Sequence, residues 1–269
     1  MRPRGDIMFD SHCHLQMPAF AKDLPAVLDR ARGVGLQGIV VIGMDIPTSE
    51  QAVELAARHE GVYASVGVHP HDAKLVDAPA LRALRELARR PRVVALGETG
   101  LDFYRNLSPR EAQVKAFKEQ LALAAELDLP VIIHARDSMA ETFAVLRDWA
   151  TARGGSATDE RPLGVLHCFA GDLAMARECV EIGFLISMAG NVTYPAATRL
   201  QQVAAALPLQ HLLTETDCPF LPPQSRRGER CEPYHLHETV AYIAALRNVR
   251  PDEVAEKTAA NARRLYRLD

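Results

Sequence analysis

The stretch Ile7-Met8-Phe9-Asp10-Ser11-His12-Cys13-His14-Leu15 starts as an apolar run and breaks into polar residues, and its reading decides the fold. Taken as a β-strand, it alternates side chains between two faces, so Asp10, His12 and His14 point one way and Cys13 the other. Two imidazoles two residues apart can grip one metal ion. A histidine near a strand end is as often a hydrogen-bonded structural residue, so the pair gains meaning only if further ligands fall where one fold would gather them.

Outward from this strand the same rhythm repeats. Apolar runs at Gly38 to Gly43, Val62 to Val68, Val93 to Glu98, Pro130 to His134, Gly164 to Cys168, Gly183 to Met188 and Leu212 to Thr216 bring the predicted strands to eight. Their near-continuous Val, Ile and Leu content predicts burial on both faces, as in a parallel sheet. Amphipathic segments lie between them at Ala26 to Val34, Ser49 to His59, Ala80 to Arg89, Arg110 to Leu127, Ser138 to Arg153, Leu173 to Gly183 and Ala196 to Leu207. Two more follow at His235 to Leu246 and Pro251 to Tyr266.

Ser108-Pro109 with Glu111 predicts one helix start, Thr48 or Ser49 the cap of the second helix, and Gly35, Gly61 and Gly183 helix ends. Eight β/α units predict an α/β protein, a TIM (β/α)8 barrel forming a single domain over residues 1–269. An open doubly wound sheet would carry a G-x-G-x-x-G turn after its first strand, where this chain has DSHCHL. The polar tract Arg153 to Arg161 (RGGSATDER) predicts a surface loop on the face away from chemistry.

Composition narrows the classes. With 48% hydrophobic and 24% charged residues the chain has the balance of a soluble globular protein. No apolar run approaches the roughly 20 residues that span a bilayer, and MRPRGDIMFDSHCH lacks a signal-peptide core, so no membrane association and a cytoplasmic location are expected. A net charge of −3 excludes bulk attraction to a polyanion, and any nucleic-acid contact has to be local. The five scattered cysteines, without a C-x-x-C pair, exclude a disulfide framework and a Cys-ligated zinc site.

In a barrel of this kind functional residues gather at the C-terminal strand ends. Strand one ends in His12 and His14, strand three in Gly67-Val68-His69-Pro70-His71, and strand four in Gly97-Glu98-Thr99-Gly100-Leu101-Asp102. Strand five ends in His134-Ala135-Arg136-Asp137, strand six in His167-Cys168 and strand eight in Glu215-Thr216-Asp217. Six of the ten histidines are thus drawn to one rim, His71 at its edge, while His59, His211, His235 and His237 read as structural. This donor set suits two divalent cations, with Mg, Mn, Co or Zn all compatible: His12, His14 and Asp217 for one, His134 and His167 for the other, and Glu98 bridging both. No lysine lies at a strand end, which excludes a bridging carbamate.

The motifs DSHCHL, GVHPH, GETGLD, HAR, HCFAG, ETDCPFLPP and NARRLY, in this order, resemble the TatD family of metal-dependent deoxyribonucleases within the amidohydrolase-like barrels, across essentially the whole chain. The resemblance implies a TIM barrel, two divalent cations and hydrolysis of nucleic-acid phosphodiesters. It assigns His12, His14, Glu98 and Asp217 to one metal and Glu98, His134 and His167 to the other. One departure stands out: Cys231-Glu232-Pro233 occupies the place of the family's usual Asn-Glu-Pro.

A water shared between two cations supplies hydroxide near neutral pH, and the cations stabilise charge on a phosphoryl oxygen. Asp217 is the expected catalytic group that orients this water and takes its proton, with Glu98 the catalytic bridge. Asp10 and Glu215, each one strand step deeper than a ligand, are expected to support the ligands. His69, Arg105 and Arg136 are the expected substrate contacts, joined by the loop Gln224 to Arg230 (QSRRGER), and Phe103 or Tyr104 could stack on a base. The expected function is a deoxyribonuclease acting on a DNA or nucleotide substrate. The same donors also suit an ester or amide hydrolase, acting for example on an aminoacyl-tRNA ester or a small cyclic amide.

Overall fold

The computed structural model describes residues 7–155 and 161–268. Eight strands, β1 (Met8–Cys13), β2 (Leu36–Ile42), β3 (Val62–Val66), β4 (Val93–Asp102), β5 (Val131–Arg136), β6 (Gly164–Leu166), β7 (Phe184–Met188) and β8 (Leu212–Thr214), form one parallel sheet in sequential order. The seam from β8 back to β1 is closed just past the strands, where His14 N–H donates to Cys218 O (2.8 Å) and Asp217 N–H to His12 O (2.9 Å). The result is the predicted TIM barrel. Within the RGGSATDER tract, residues 156–160 lie outside the described residues.

The helices run α1 (Leu24–Gly33), α2 (Ile46–Arg58), α3 (Ala78–Ala88), α4 (Arg110–Leu127), α5 (Met139–Arg153), α6 (Leu173–Glu181), α7 (Thr198–Ala206), α8 (Leu236–Arg247) and α9 (Pro251–Tyr266). Among the described residues no helix is long and apolar enough to cross a membrane. Gly35, Gly61 and Gly183 follow helix ends with positive φ, as predicted. The cap of α2 is a correction: Asp45, not Thr48 or Ser49, is the N-cap, and its carboxylate accepts from Thr48 N–H at 2.8 Å while the Thr48 hydroxyl serves the Asp45 N–H. A carboxylate placed before Pro47 outcompetes the later hydroxyls because the chain is already helical at Ile46.

Alternation along the strands divides the core into two layers. Phe9, Val40, Val94, Ile132, Val165, Leu185 and Leu213 fill the lumen, where Phe9 stacks between Tyr63 and Tyr266. Met8, Cys13, Val41, Leu96, Ile133 and Ile186 pack outward against helices. Met8 and Cys13 share the outer layer although they are five residues apart, which regular alternation forbids. The register explains it: from Asp10 to Cys13 β1 advances three residues while β2 advances two, a one-residue bulge. Asp10 therefore does not share the face of His12 and His14, contrary to the alternation expected from sequence. β4 carries a bulge of the same kind against β5, between Leu96 and Thr99, the stretch that contains Glu98.

Candidate metal centre

The two bulges and one turn bring the donors together. His12 and His14 leave β1 with their Nε2 atoms 3.3 Å apart. The Nδ1–H of His14 donates to Ile42 O at 3.3 Å, which leaves its Nε2 lone pair free for a cation. Asp217 stands three residues past the end of β8 in a left-handed conformation (φ 52°), uncommon for a non-glycine residue. This turn swings its carboxylate back, so that Oδ1 lies 3.3 Å from His14 Nε2 and 3.6 Å from His12 Nε2. Glu98 Oε2 completes the group at 3.5 Å from His12 Nε2 and 3.9 Å from His14 Nε2.

The other oxygen of Glu98 meets a different set. Its Oε1 lies 2.9 Å from His134 Nδ1, 2.8 Å from His167 Nε2 and 3.5 Å from His69 Nε2, and the first two nitrogens are 3.2 Å apart. β4 and β5 come this close because residue 100 is glycine: with φ 140°, a Cβ there would sit 2.1 Å from His134 O. Donors about 2.0–2.2 Å from a tetrahedrally or octahedrally held cation stand about 3–3.5 Å from one another. Both halves of the centre approach that spacing, so His12, His14, Asp217 and Glu98 could hold one cation, and Glu98, His134 and His167 a second.

The electrostatics agree with donors waiting for positive charge. Burial alone would raise the Glu98 carboxyl, yet His167, His69, His12 and His134 outweigh it and hold it well below the usual carboxylate range. Asp217 is likewise lowered, its burial overcome by His14 and His12. Burial pushes His12 and His69 below the usual imidazole value, so both are neutral near pH 7. His69 Nδ1 accepts the His71 N–H at 3.1 Å, so the proton of this neutral ring sits on Nε2, facing Glu98. A protonated Nε2 is a hydrogen-bond donor and not a ligand. The expectation that His69 meets a substrate oxygen is compatible with this tautomer.

Supporting groups sit behind the donors. Glu215 Oε1 accepts the Cys168 N–H at 2.6 Å and lies 3.5 Å from His167 Nδ1. Asp10, displaced by the bulge, takes Thr216 N–H (2.9 Å), the Thr216 hydroxyl (2.6 Å) and His12 N–H (3.3 Å). It thus braces the main chain at the seam, and burial pushes its carboxyl up to about 7. Asp102, the last residue of β4, joins the site without having been singled out by its place in the sequence. Its Oδ2 lies 3.2 Å from His134 Nε2 and 2.9 Å from His71 Nε2, and Oδ1 accepts the Arg105 N–H at 2.7 Å. Burial would raise its carboxyl, but those hydrogen bonds hold it below the carboxylate range. The available signal was its even spacing from Glu98 at the end of GETGLD.

The expected substrate contacts spread more widely. Arg105 and Arg136 are exposed at the rim, and the Arg136 guanidinium lies 4.0 Å above the Tyr104 ring. In the QSRRGER loop, Arg226 pairs with Glu238 and Arg230 with Asp23 and Glu232. That loop offers less free positive charge than its composition suggested.

The sequence pattern of the TatD related DNase family matches residues 9–267. The chain is 38% identical over 263 residues to the uncharacterized metal-dependent hydrolase YabD of Bacillus subtilis (strain 168), covering 98% of this chain and 100% of that one. It is 37% identical over 267 residues to the 3'-5' ssDNA/RNA exonuclease TatD of Klebsiella pneumoniae (strain 342), covering 97% and 98% of the two chains. The crystal structure of YJJV, a TatD homolog from Escherichia coli K12, superposes with a TM-score of 0.90 at 32% identity, over 98% of this chain and 99% of that one. A barrel with this donor ring and these relatives belongs to the TatD related DNase family.

Proposed function

We propose that the protein is a divalent-metal-dependent hydrolase that cleaves nucleic-acid phosphodiesters, DNA foremost, using a pair of cations. The observation that carries this reading is Glu98, whose two carboxylate oxygens meet two separate sets of imidazole nitrogens. His12, His14, Asp217 and Glu98 would hold one cation, and Glu98, His134 and His167 the other. Such cations lower the pKa of water towards neutrality and neutralise charge developing on a phosphoryl oxygen.

The remaining chemistry belongs to side chains of the chain. Asp217, whose Oδ1 lies within 3.6 Å of the His12 and His14 Nε2 atoms, orients the attacking water and takes its proton. The Nε2–H of His69 donates to a phosphate oxygen at the Glu98 edge of the site. Arg105 and Arg136 supply positive charge where the rest of the strand leaves the mouth. Relatives named as 3'-5' ssDNA/RNA exonucleases support a strand degraded from an end.

The test is turnover of labelled single-stranded DNA by protein stripped of metal and then reloaded with Mg, Mn, Co or Zn. Loss on stripping and recovery on reloading are expected, with two cations bound per chain. Full activity in excess chelator, or turnover of carboxylic esters but no phosphodiester, would overturn the reading.

A further inference from the structure

Exposed large apolar side chains are few among the described residues, and four of the five, Leu75, Tyr104, Leu107 and Phe220, come from connections at the C-terminal ends of β3, β4 and β8. Scattered apolar exposure is ordinary, whereas a collection around one mouth marks a surface that meets a ligand. Phe220, 47% exposed, stands closest to the chemistry: its ring meets the His14 ring edge-on at 6.1 Å between centroids, and its N–H donates to Asp217 O at 3.0 Å.

The exposure of Phe220 does not come from a slack loop. Cys231 N–H binds Pro219 O at 3.1 Å, the Tyr194 hydroxyl binds Pro222 O at 2.9 Å, and Gln224 N–H binds the Thr193 hydroxyl at 2.7 Å. A rigid ring with a free face beside a metal-ligand histidine binds a flat partner at little entropic cost. On the other half of the centre Tyr104, 60% exposed, follows Asp102 by two residues and carries Arg136 against its ring. One exposed aromatic thus accompanies each half. In the loop that follows, Arg226 and Arg230 are already paired with carboxylates, and the Arg227 guanidinium lies 4.5 Å over the Tyr194 ring.

We propose that Phe220 is a stacking platform for an unpaired base adjacent to the bond being cut, with Tyr104 as its counterpart on the Asp102–His134 side. The inference rests on the nuclease reading above and names the residue that makes the site select an unstacked strand. Bases stacked within a duplex have no free face to offer, whereas any base of a single strand does.

The test is a cycle on the metal-loaded protein with a single-stranded oligonucleotide, intact or carrying an abasic residue at either nucleotide flanking the cleaved bond. Phe220→Ala is expected to lower kcat/KM on the intact strand by roughly 5- to 150-fold, the range one base–aromatic stack supports. Removing the base at one of the two positions should cost wild type a similar factor, and removing both ring and base should cost no more than either alone. Phe220→Trp should restore the intact-strand rate. A 5-iodouracil at the coupled position should photocrosslink to Phe220. Multiplicative losses, no loss, or crosslinks that map only elsewhere would overturn the proposal while the nuclease reading stood. A wild-type protein that cleaves no oligonucleotide when loaded with metal would overturn both, and a thermal melt and metal content matching wild type identify Phe220→Ala as folded.

Discussion

Asp102 Oδ2 stands 3.2 Å from Nε2 of His134, while Nδ1 of the same ring stands 2.9 Å from Glu98 Oε1. One imidazole is thus held between two carboxylates, and only one of them is in the proposed metal bridge. The Asp102 carboxylate fixes which nitrogen carries the proton and turns the other towards the Glu98 side. Asp102→Asn keeps the shape and loses that control. It should weaken binding of the second cation by about 10- to 100-fold, read by titration calorimetry, while the first cation binds as before.

Glu98 meets both halves of the centre, one carboxylate oxygen in each. Glu98→Gln should bind at most one cation per chain and lose turnover, with the fold retained in far-UV circular dichroism. Two cations bound to the variant, measured by elemental analysis after gel filtration, would remove Glu98 as the bridge.

His69 is assigned a donor role and no metal bond, because its Nδ1 is occupied by the His71 N–H. His69→Phe should keep both cations and lower kcat by about 10²–10³-fold, the loss typical of one preorganised donor. Loss of a cation from this variant would instead make His69 a ligand.

Away from the chemistry, Glu232 accepts from Arg30 (2.8 Å) and Arg230 (2.6 Å), tying the chain after β8 to α1. Burial would raise the Glu232 carboxyl, but the hydrogen bonds from Arg30 and Arg230 lower it. Glu232→Gln should therefore cost about 1–3 kcal/mol at neutral pH. A depressed folded pKa contributes stability that is present above the unfolded value, near 4.3, and is lost as pH falls through the folded value. The gap between wild type and variant should be full at pH 7 and close below about pH 4, read by chemical denaturation. A gap that widened in acid would contradict the clasp. This Glu232 lies in the Cys-Glu-Pro stretch that departs from the family's Asn-Glu-Pro. Cys231 itself is buried, with its thiol 3.8 Å from Thr216 O, and burial pushes that thiol far above its usual value.

Much of this protein was legible in residue order. Continuous apolar runs separated by amphipathic segments specify parallel strands and crossover helices, because burial on two faces and on one stripe leave different periodicities. The barrel then told which end of each strand to inspect, and His12, His14, Glu98, His134, His167 and Asp217 all stand at that rim. What periodicity could not reveal is how each donor is aimed. Asp10 leaves the face of His12 and His14 because β1 inserts a residue after it, Glu98 is delivered at a bulge in β4, and Asp217 by a left-handed turn beyond β8. Asp102, Glu215 and the paired arginines of the QSRRGER loop acquire their meaning from partners tens of residues away or on other elements. Bulges, turns and such pairings are set by contacts between strands and loops distant in sequence, and only the closed barrel decides them.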